Sequence, residues 1–536
     1  MGEPLLVLAY DIGTTSAKTC LFAVDGTLSL LASASHSYAL TLLPGGGVEQ
    51  NPDDWWQAMI ESTREVLART GTPPSAIQAV SFCCQMQGLV LVDEQGKALR
   101  PAMSYMDQRA VEQWRRGMAS GLRIAGLNAR RLLSSILLTG GASASVKDPV
   151  WKYAWVRENE PEVFARVHKW LDVKEYLLLR CTGRFLMTAD SANATFLYDT
   201  RRNRGAWSRR LLAQFGVDPR HMPEVIQSTA IAGKITEAAA RELGLAAGTP
   251  VVGGGGDVTM MALGCGCVAP GDTHVYVGTS GWVTQIIDKR RVDLDHFIGP
   301  LVAARAGSFN YIGEQETSGK CMEWVRDHLA MDEIGVYLDA RRVDAAPEGR
   351  FTSLLGYLDH VVQETEPGSG GAIFTPWLHG NRSPFEDPYA RGMFFNIGLD
   401  TGKRALIRAV VEGIAYHKRW ILECIEQRAY TTSRVRFAGG GAVADGTCQV
   451  LADVTGKKVE AMANPQNAGA AGAALGAGIA LGSIPSFEAA SEMVLVRKTY
   501  NPNAATRDIY EKGFSVFKQL HEANKRSFEL LNKAGA

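Results

Sequence analysis

Short apolar runs separated by glycine and hydroxyl turns dominate the start of the chain. Residues 4–10 are apolar and end in Asp11-Ile12-Gly13-Thr14-Thr15-Ser16; residues 18–24 form a second run, and Asp25-Gly26 turns the chain into residues 28–32. Runs of that length between turn residues predict three antiparallel strands in a meander. The period then changes. Asp53 stands where it could cap a helix running to about Arg69, with Trp55, Met59 and Val66 among its apolar positions. Residues 77–83 predict a buried strand, followed by the polar turn Gln85-Met86-Gln87-Gly88. Residues 89–92 and the turn at 93–97 predict another hairpin, and residues 149–158 and 173–180 predict helices.

The pattern restarts past the middle. Thr273-His274-Val275-Tyr276-Val277 predicts a strand, Gly278-Thr279-Ser280-Gly281 a glycine and hydroxyl turn, and residues 282–287 the returning strand. DIGTTSAKTCLF at 11–22 and VGTSGWVTQII at 277–287 share few residues but have the same order of elements, which suggests an internal duplication. Residues 434–437 lead into Ala438-Gly439-Gly440-Gly441-Ala442, and the Ala/Gly-rich residues 467–481 start a closely packed helix. Residues 504–533 predict an amphipathic helix with Tyr510, Phe514, Phe517 and Leu520 on one side.

With 536 residues, two large domains are the natural expectation. The 56 basic residues match the 56 acidic ones, which argues against a general nucleic-acid or membrane-surface binder. The basic run at 201–204 reads as a solvated face. Nine scattered cysteines fit reduced thiols, and Cys265-Gly266-Cys267 lacks a second pair at zinc spacing. No basic leader or long apolar segment occurs, so the expected location is the cytoplasm.

Candidate chemistry centres on Val251-Val252-Gly253-Gly254-Gly255-Gly256-Asp257. The valines read as the end of a buried strand. Four glycines leave room for another molecule to approach, and one carboxylate stands where a general base would act. The turns at 13–16 and 278–281 offer backbone N–H groups and hydroxyls, a donor set that suits phosphate. A G-x-x-x-x-G-K-[ST] loop is absent. Asp11 could hold a magnesium ion through water, or simply cap its turn, and Lys18 could help neutralise phosphate.

Five motifs in order carry a resemblance: DIGTTSAK at 11–18, GGGGDVTMMALGCG at 253–266, VGTSG at 277–281, GNRSPFEDPYARG at 380–392 and RFAGGGAVADGTCQVLADVTGKKV at 436–459. Together they resemble the FGGY family of carbohydrate kinases, in the order and spacing of its xylulokinase-like members. The resemblance implies an α/β, actin-like ATPase fold with two RNase H-like domains around a central cleft. It implies a sugar-side domain at 1–256, a nucleotide-side domain at 257–485 and a helical tail at 486–536. The activity it implies is transfer of the ATP γ-phosphoryl to a primary hydroxyl of a ketose, a pentulose such as xylulose, with Mg2+. Asp257 then matches the base, and Met86, Gln87 and Asp107 match sugar-side positions. Thr14, Thr15, Ser16, Lys18 and Thr279 match phosphate positions; Gly319, Gly440, Gly441 and Asp445 match positions around the adenosine; Asp11 matches the acid near magnesium. A homodimer fits the resemblance, although no stretch marks an interface.

Two positions depart from the xylulokinase-like pattern. Met86-Gln87-Gly88 replaces Met-His-Gly, and Val258 replaces the usual Asn or Gln after the acid. Both are expected beside the sugar, and they open the acceptor to another ketose or a polyol. Readings of another kind are an actin-like ATPase module and a sugar-binding homologue without turnover.

Overall fold

A computed structural model describes residues 4–124, 126–201, 204–330 and 354–533. Arg202 and Asn203, within the basic run, lie outside the described residues. The predicted meander forms as β1 (Leu5–Ile12), β2 (Ser16–Asp25) and β3 (Thr27–Ser37), all antiparallel. β4 (Ala79–Cys84) lies parallel to β1. β5 (Ile231–Lys234) and β6 (Pro250–Val252) extend the sheet beyond β4, and β7 (Gly255–Gly256) pairs with the end of β4.

The second sheet repeats this plan. β8 (Thr273–Val277), β9 (Gly281–Ile287) and β11 (Phe309–Gln315) form an antiparallel meander, with β10 (Gly299–Val302) added at its edge. β12 (Arg434–Ala438) runs parallel to β8, β13 (Lys458–Met462) parallel to β12, and β14 (Val496–Tyr500) closes antiparallel. In each sheet three meander strands are followed by two parallel strands and one antiparallel edge strand. The duplication hinted at by two turns is therefore a duplication of topology.

α1 (Pro52–Thr70) starts earlier than expected. Its N-cap is Asn51, whose side chain accepts from the Asp53 N–H at 3.2 Å, and Asp53 sits inside the first turn. Proline accounts for the shift: Pro52 has no N–H to satisfy and a preset φ, so it opens the helix and leaves the cap to the residue before it.

α2 (Asp257–Gly264) begins at the acid after the glycines, and α3 (Lys403–Arg428) crosses the core of the second half. α4 (Ala468–Ala480) comes late in the chain, yet it lies on the first sheet, sharing a core with Val7, Ala9, Cys20, Cys83 and Val252. α5 (Arg507–Asn532) buries Tyr510, Phe514, Phe517 and Leu520 in the second domain's core, as its periodicity predicts. Among the described residues no helix is long and apolar enough to cross a membrane.

α2 and α4 meet backbone to backbone. A Cβ on Gly264 would lie 1.7 Å from the Ala468 carbonyl oxygen, and one on Gly472 would lie 1.9 Å from that of Met260. Neither obstacle is a side chain that could rotate away. Gly472→Ala should therefore push the helices apart and destabilise the protein by about 1–3 kcal/mol, the usual range for overpacking. Thermal denaturation of the variant beside the parent checks this, and an unchanged midpoint would contradict it.

Candidate active site

The register of the first sheet assembles one side of the site. Lys18 lies opposite Asp11, Asp11 opposite Cys83, and Cys83 opposite Gly255. Strands stack about 4.8 Å apart, so Asp257, two residues beyond Gly255, emerges near Asp11. At the first position of α2, its carboxylate accepts from the Val258 N–H at 2.8 Å.

The glycines before it serve the protein's own packing. Gly254 has φ +64°, and a Cβ there would meet the Phe82 carbonyl oxygen at 2.2 Å. On Gly256 a Cβ would meet the Met86 sulfur at 2.0 Å. The expectation that they leave room for another molecule is corrected: the space is already filled, by β4 and the turn after it at Gly254 and Gly256, by Thr188 and the Gln227 carbonyl at Gly253, and by Asp190 and Met260 at Gly255. Their absent side chains let β7 pair with β4, and that pairing aims Asp257.

Burial pushes the Asp257 carboxyl up to about 7, against the bond from Val258 N–H, and the charges of Asp11, Glu314 and Asp190 push the same way. Burial also raises Asp11, opposed by Lys18 and by the Cys83 thiol. A carboxylate so placed gains from a hard cation, and Mg2+ commonly takes one or two carboxylates while keeping several waters. Asp11 fits that limited role. No group of three or more potential metal-ligating side chains occurs among the described residues.

Both hydroxyl turns are tied down from behind. In the first, the Gly13 N–H donates to the Ser16 carbonyl at 2.9 Å. Gln50 Nε2 donates to the Thr14 carbonyl at 2.7 Å, and Tyr38 Oη donates to that of Ser16 at 3.0 Å. Tyr105 Oη lies 3.3 Å from Thr14 Oγ1. The Lys18 ammonium donates to the Gln466 carbonyl at 2.9 Å. In the second, the Gly319 N–H donates to the Gly278 carbonyl at 2.7 Å, while Thr279 and Ser280 are exposed. Gly440 is exposed, with only the Val277 carbonyl oxygen, at 4.0 Å, near its Cβ position. Gly441 packs on the Val277 side chain.

Met86 and Gln87 follow β4 and are partly exposed. Gln87 is left-handed at φ 64°, a conformation other residues hold for it. Asp172 accepts from the Gln87 and Gly88 N–H groups at 2.7 and 2.8 Å, and the Lys152 ammonium donates to the Gln87 carbonyl at 2.8 Å.

Other expected residues lie elsewhere or are occupied. Asp107 is fully buried; it accepts from the Val48 N–H at 2.8 Å and from Arg109 Nη2 at 2.7 Å, and so braces its loop. Asp445 opens the helix Asp445–Thr455 and is held by Lys498 at 2.5 Å, Tyr500 at 2.6 Å and Arg497 at 2.8 Å. Val258 packs in an apolar cluster with Met261, Trp282 and Ile286, between the halves.

The sequence reading missed Asp190, Glu314 and Tyr105. Asp190 Oδ2 accepts from the Gly256 N–H at 2.7 Å from 66 positions away. Glu314, on β11, pairs with Arg382 at 2.7 Å. Its charge reaches Asp257, and Tyr276 of the second sheet feels both Asp11 and Asp257. Residues of the two halves thus face each other across one cleft.

The model of the FGGY family N-terminal domain matches residues 6–264, and that of the FGGY family C-terminal domain matches residues 274–481. The chain belongs to the FGGY family of carbohydrate kinases. A gluconokinase of Bacillus licheniformis is 26% identical over 528 residues, covering 97% of this chain and 96% of the relative. A xylulose kinase of Bacillus subtilis is 27% identical over 522 residues, 97% of each. Among solved structures, the ligand-bound xylulose kinase of Lactobacillus acidophilus superposes with a TM-score of 0.83 at 23% identity, covering 98% of this chain and 99% of that one. As a member of the FGGY family this chain is a carbohydrate kinase with the family's actin-like fold.

Asp190→Ala would leave the Gly256 N–H buried without its acceptor, a loss of about 1–3 kcal/mol. Because that N–H adjoins Asp257, kcat should fall about tenfold while nucleotide affinity stays near the parent's. Steady-state kinetics beside equilibrium nucleotide binding measures both.

Proposed function

We propose that this FGGY kinase transfers the ATP γ-phosphoryl to a primary hydroxyl of a neutral ketose, a pentulose such as xylulose, with Asp257 as general base. The observation that carries this reading is the Asp257 carboxyl, aimed from the strand exit and raised to about 7, close to the best value for a base at neutral pH. Phosphoryl transfer asks the protein mainly for alignment and charge neutralisation. The turns at Thr14, Thr15, Ser16 and Thr279 present donors for phosphates, with Gly319, Gly440 and Gly441 on the adenosine side. Mg2+, when bound near Asp11, would supply neutralising charge. Met86 and Gln87 would meet the sugar, and closure of the cleft would exclude water as a competing acceptor.

Charge favours a neutral acceptor over a sugar acid. Asp257 stands among Asp11, Asp190 and Glu314. The described cations nearby are already engaged: Arg382 with Glu314 at 2.7 Å, Lys147 with Glu316 at 3.1 Å, and Lys152 with the carbonyls of Gln87 and Ser104. A carboxylate substrate would add a negative charge without a free partner. A different ketose or a polyol remains the second reading, because Gln87 stands where the xylulokinase-like pattern has histidine.

A panel of pentuloses, hexuloses, polyols and gluconate with coupled ADP detection tests the acceptor. Sugar-dependent turnover is expected with a neutral ketose; fast turnover of gluconate, or ATP hydrolysis indifferent to sugar, would overturn the reading. Asp257→Asn should keep nucleotide affinity and lose at least ~10²-fold in kcat. Since the base must be ionised, kcat of the parent should fall as pH drops through about 7 and level off above it.

A further inference from the structure

Lys418 lies on α3, beneath the second hydroxyl turn, with 1% of its surface exposed. Its Nζ has no hydrogen-bond partner among the described residues. Ser318 Oγ, fully buried, has none either. The two orphans converge on one point: a Cβ added to Gly281 would lie 2.4 Å from Lys418 Nζ and 2.9 Å from Ser318 Oγ. Gly281 closes the turn that carries Thr279, so both atoms sit directly under it. The same turn is bonded to the segment bearing Ser318, with the Ser318 N–H on the Thr279 carbonyl at 3.1 Å and the Gly319 N–H on the Gly278 carbonyl at 2.7 Å.

A buried, unpaired ammonium is costly, and an apolar side chain of similar length would normally suit such a place better. The groups around it offer little compensation. The Cys321 thiol faces it from the helix Lys320–Val325, and its charged form would favour the ammonium, but burial pushes that thiol up to about 12. His417, next to it on α3, is held down to about 3 by burial and stays neutral. Tyr276, on β8 beside the turn, is pushed upward by burial and stays neutral as well. Burial drives the Lys418 amine well below its ordinary range. An anion on the turn would reverse that balance, since opposite charges a few ångströms apart in a dry site attract strongly.

We infer that Lys418 is a positioning residue for the nucleotide's phosphates, supporting the second turn from beneath and gaining its proton as a phosphate settles above. With Ser318 it gives the turn a polar floor, and its charge is present when phosphate is. The inference rests on the kinase reading, in which that turn meets phosphate. It implies that nucleotide binding takes up a proton, so affinity weakens as pH rises between the amine's value without nucleotide and its higher value with it.

The test is calorimetric titration of the full chain with ADP, and separately with adenosine, at mildly alkaline pH in two buffers of different ionisation enthalpy. The parent should take up on the order of one proton per ADP bound. Lys418→Met should lose that uptake, bind ADP at least about tenfold more weakly, and bind adenosine as the parent does. Its thermal midpoint without nucleotide should equal or exceed the parent's, which separates phosphate positioning from a structural role. Equal proton uptake and ADP affinity in parent and variant would overturn the inference while leaving the kinase reading intact, as would an equal loss for adenosine. A parent that binds no ADP would overturn both. Should Lys418→Met fail to fold, Lys418→Gln carries the same comparison.

Discussion

The aim of Asp257 depends on one short parallel pairing, that of Gly255-Gly256 with Cys83-Cys84. It is made possible by glycines whose Cβ atoms would otherwise strike the Phe82 carbonyl and the Met86 sulfur. The chain leaves this pairing directly into α2, so the direction of Asp257 is fixed by main-chain hydrogen bonds instead of a loop. The crossing of α2 and α4 then holds the helix from its far side, again through backbone atoms. A carboxylate set in this way has its main chain fixed before anything binds, which is what alignment-limited chemistry rewards.

Duplication explains how two hydroxyl turns come to confront each other. Each sheet places a hydroxyl turn between its first two strands. Facing the two sheets brings the turns to opposite walls of one cleft. The halves have diverged in what lies behind those turns. The first is tied by Gln50 and Tyr38, and the second rests on Ser318 and Lys418.

Much of this was legible in the chain, for a local reason. Strand runs, hydroxyl turns, the duplication and the amphipathic tail are written in spacing that neighbouring residues enforce. What was not legible depends on contacts between distant segments. Nothing around Asp190 announces that it will hold the Gly256 N–H, and nothing around Glu314 announces its place opposite Asp257. The glycine run misled because sequence records an absent side chain without recording what fills the room. The packing of Val258 was equally hidden: the sequence shows a valine after the acid, and only the fold places it in the apolar cluster around Trp282. At Asn51 the error was one of competition, since Asp53 caps as well as Asn51 does until Pro52 decides where the helix opens.

The position of Gln87 has a consequence for how such an enzyme can change. Its main chain is clamped by Asp172 and Lys152, while its side chain donates to the Ala194 carbonyl at 3.4 Å. The clamp grips atoms that every amino acid except proline has. At φ 64° the position takes glycine, asparagine, aspartate or histidine far more readily than a β-branched residue, and exchange within that set leaves the turn, β4 and the aim of Asp257 as they were. The main-chain frame of this turn and the side chain it presents are mechanically uncoupled, so the surface beside Asp257 can change one side chain at a time while the strand exit keeps its geometry.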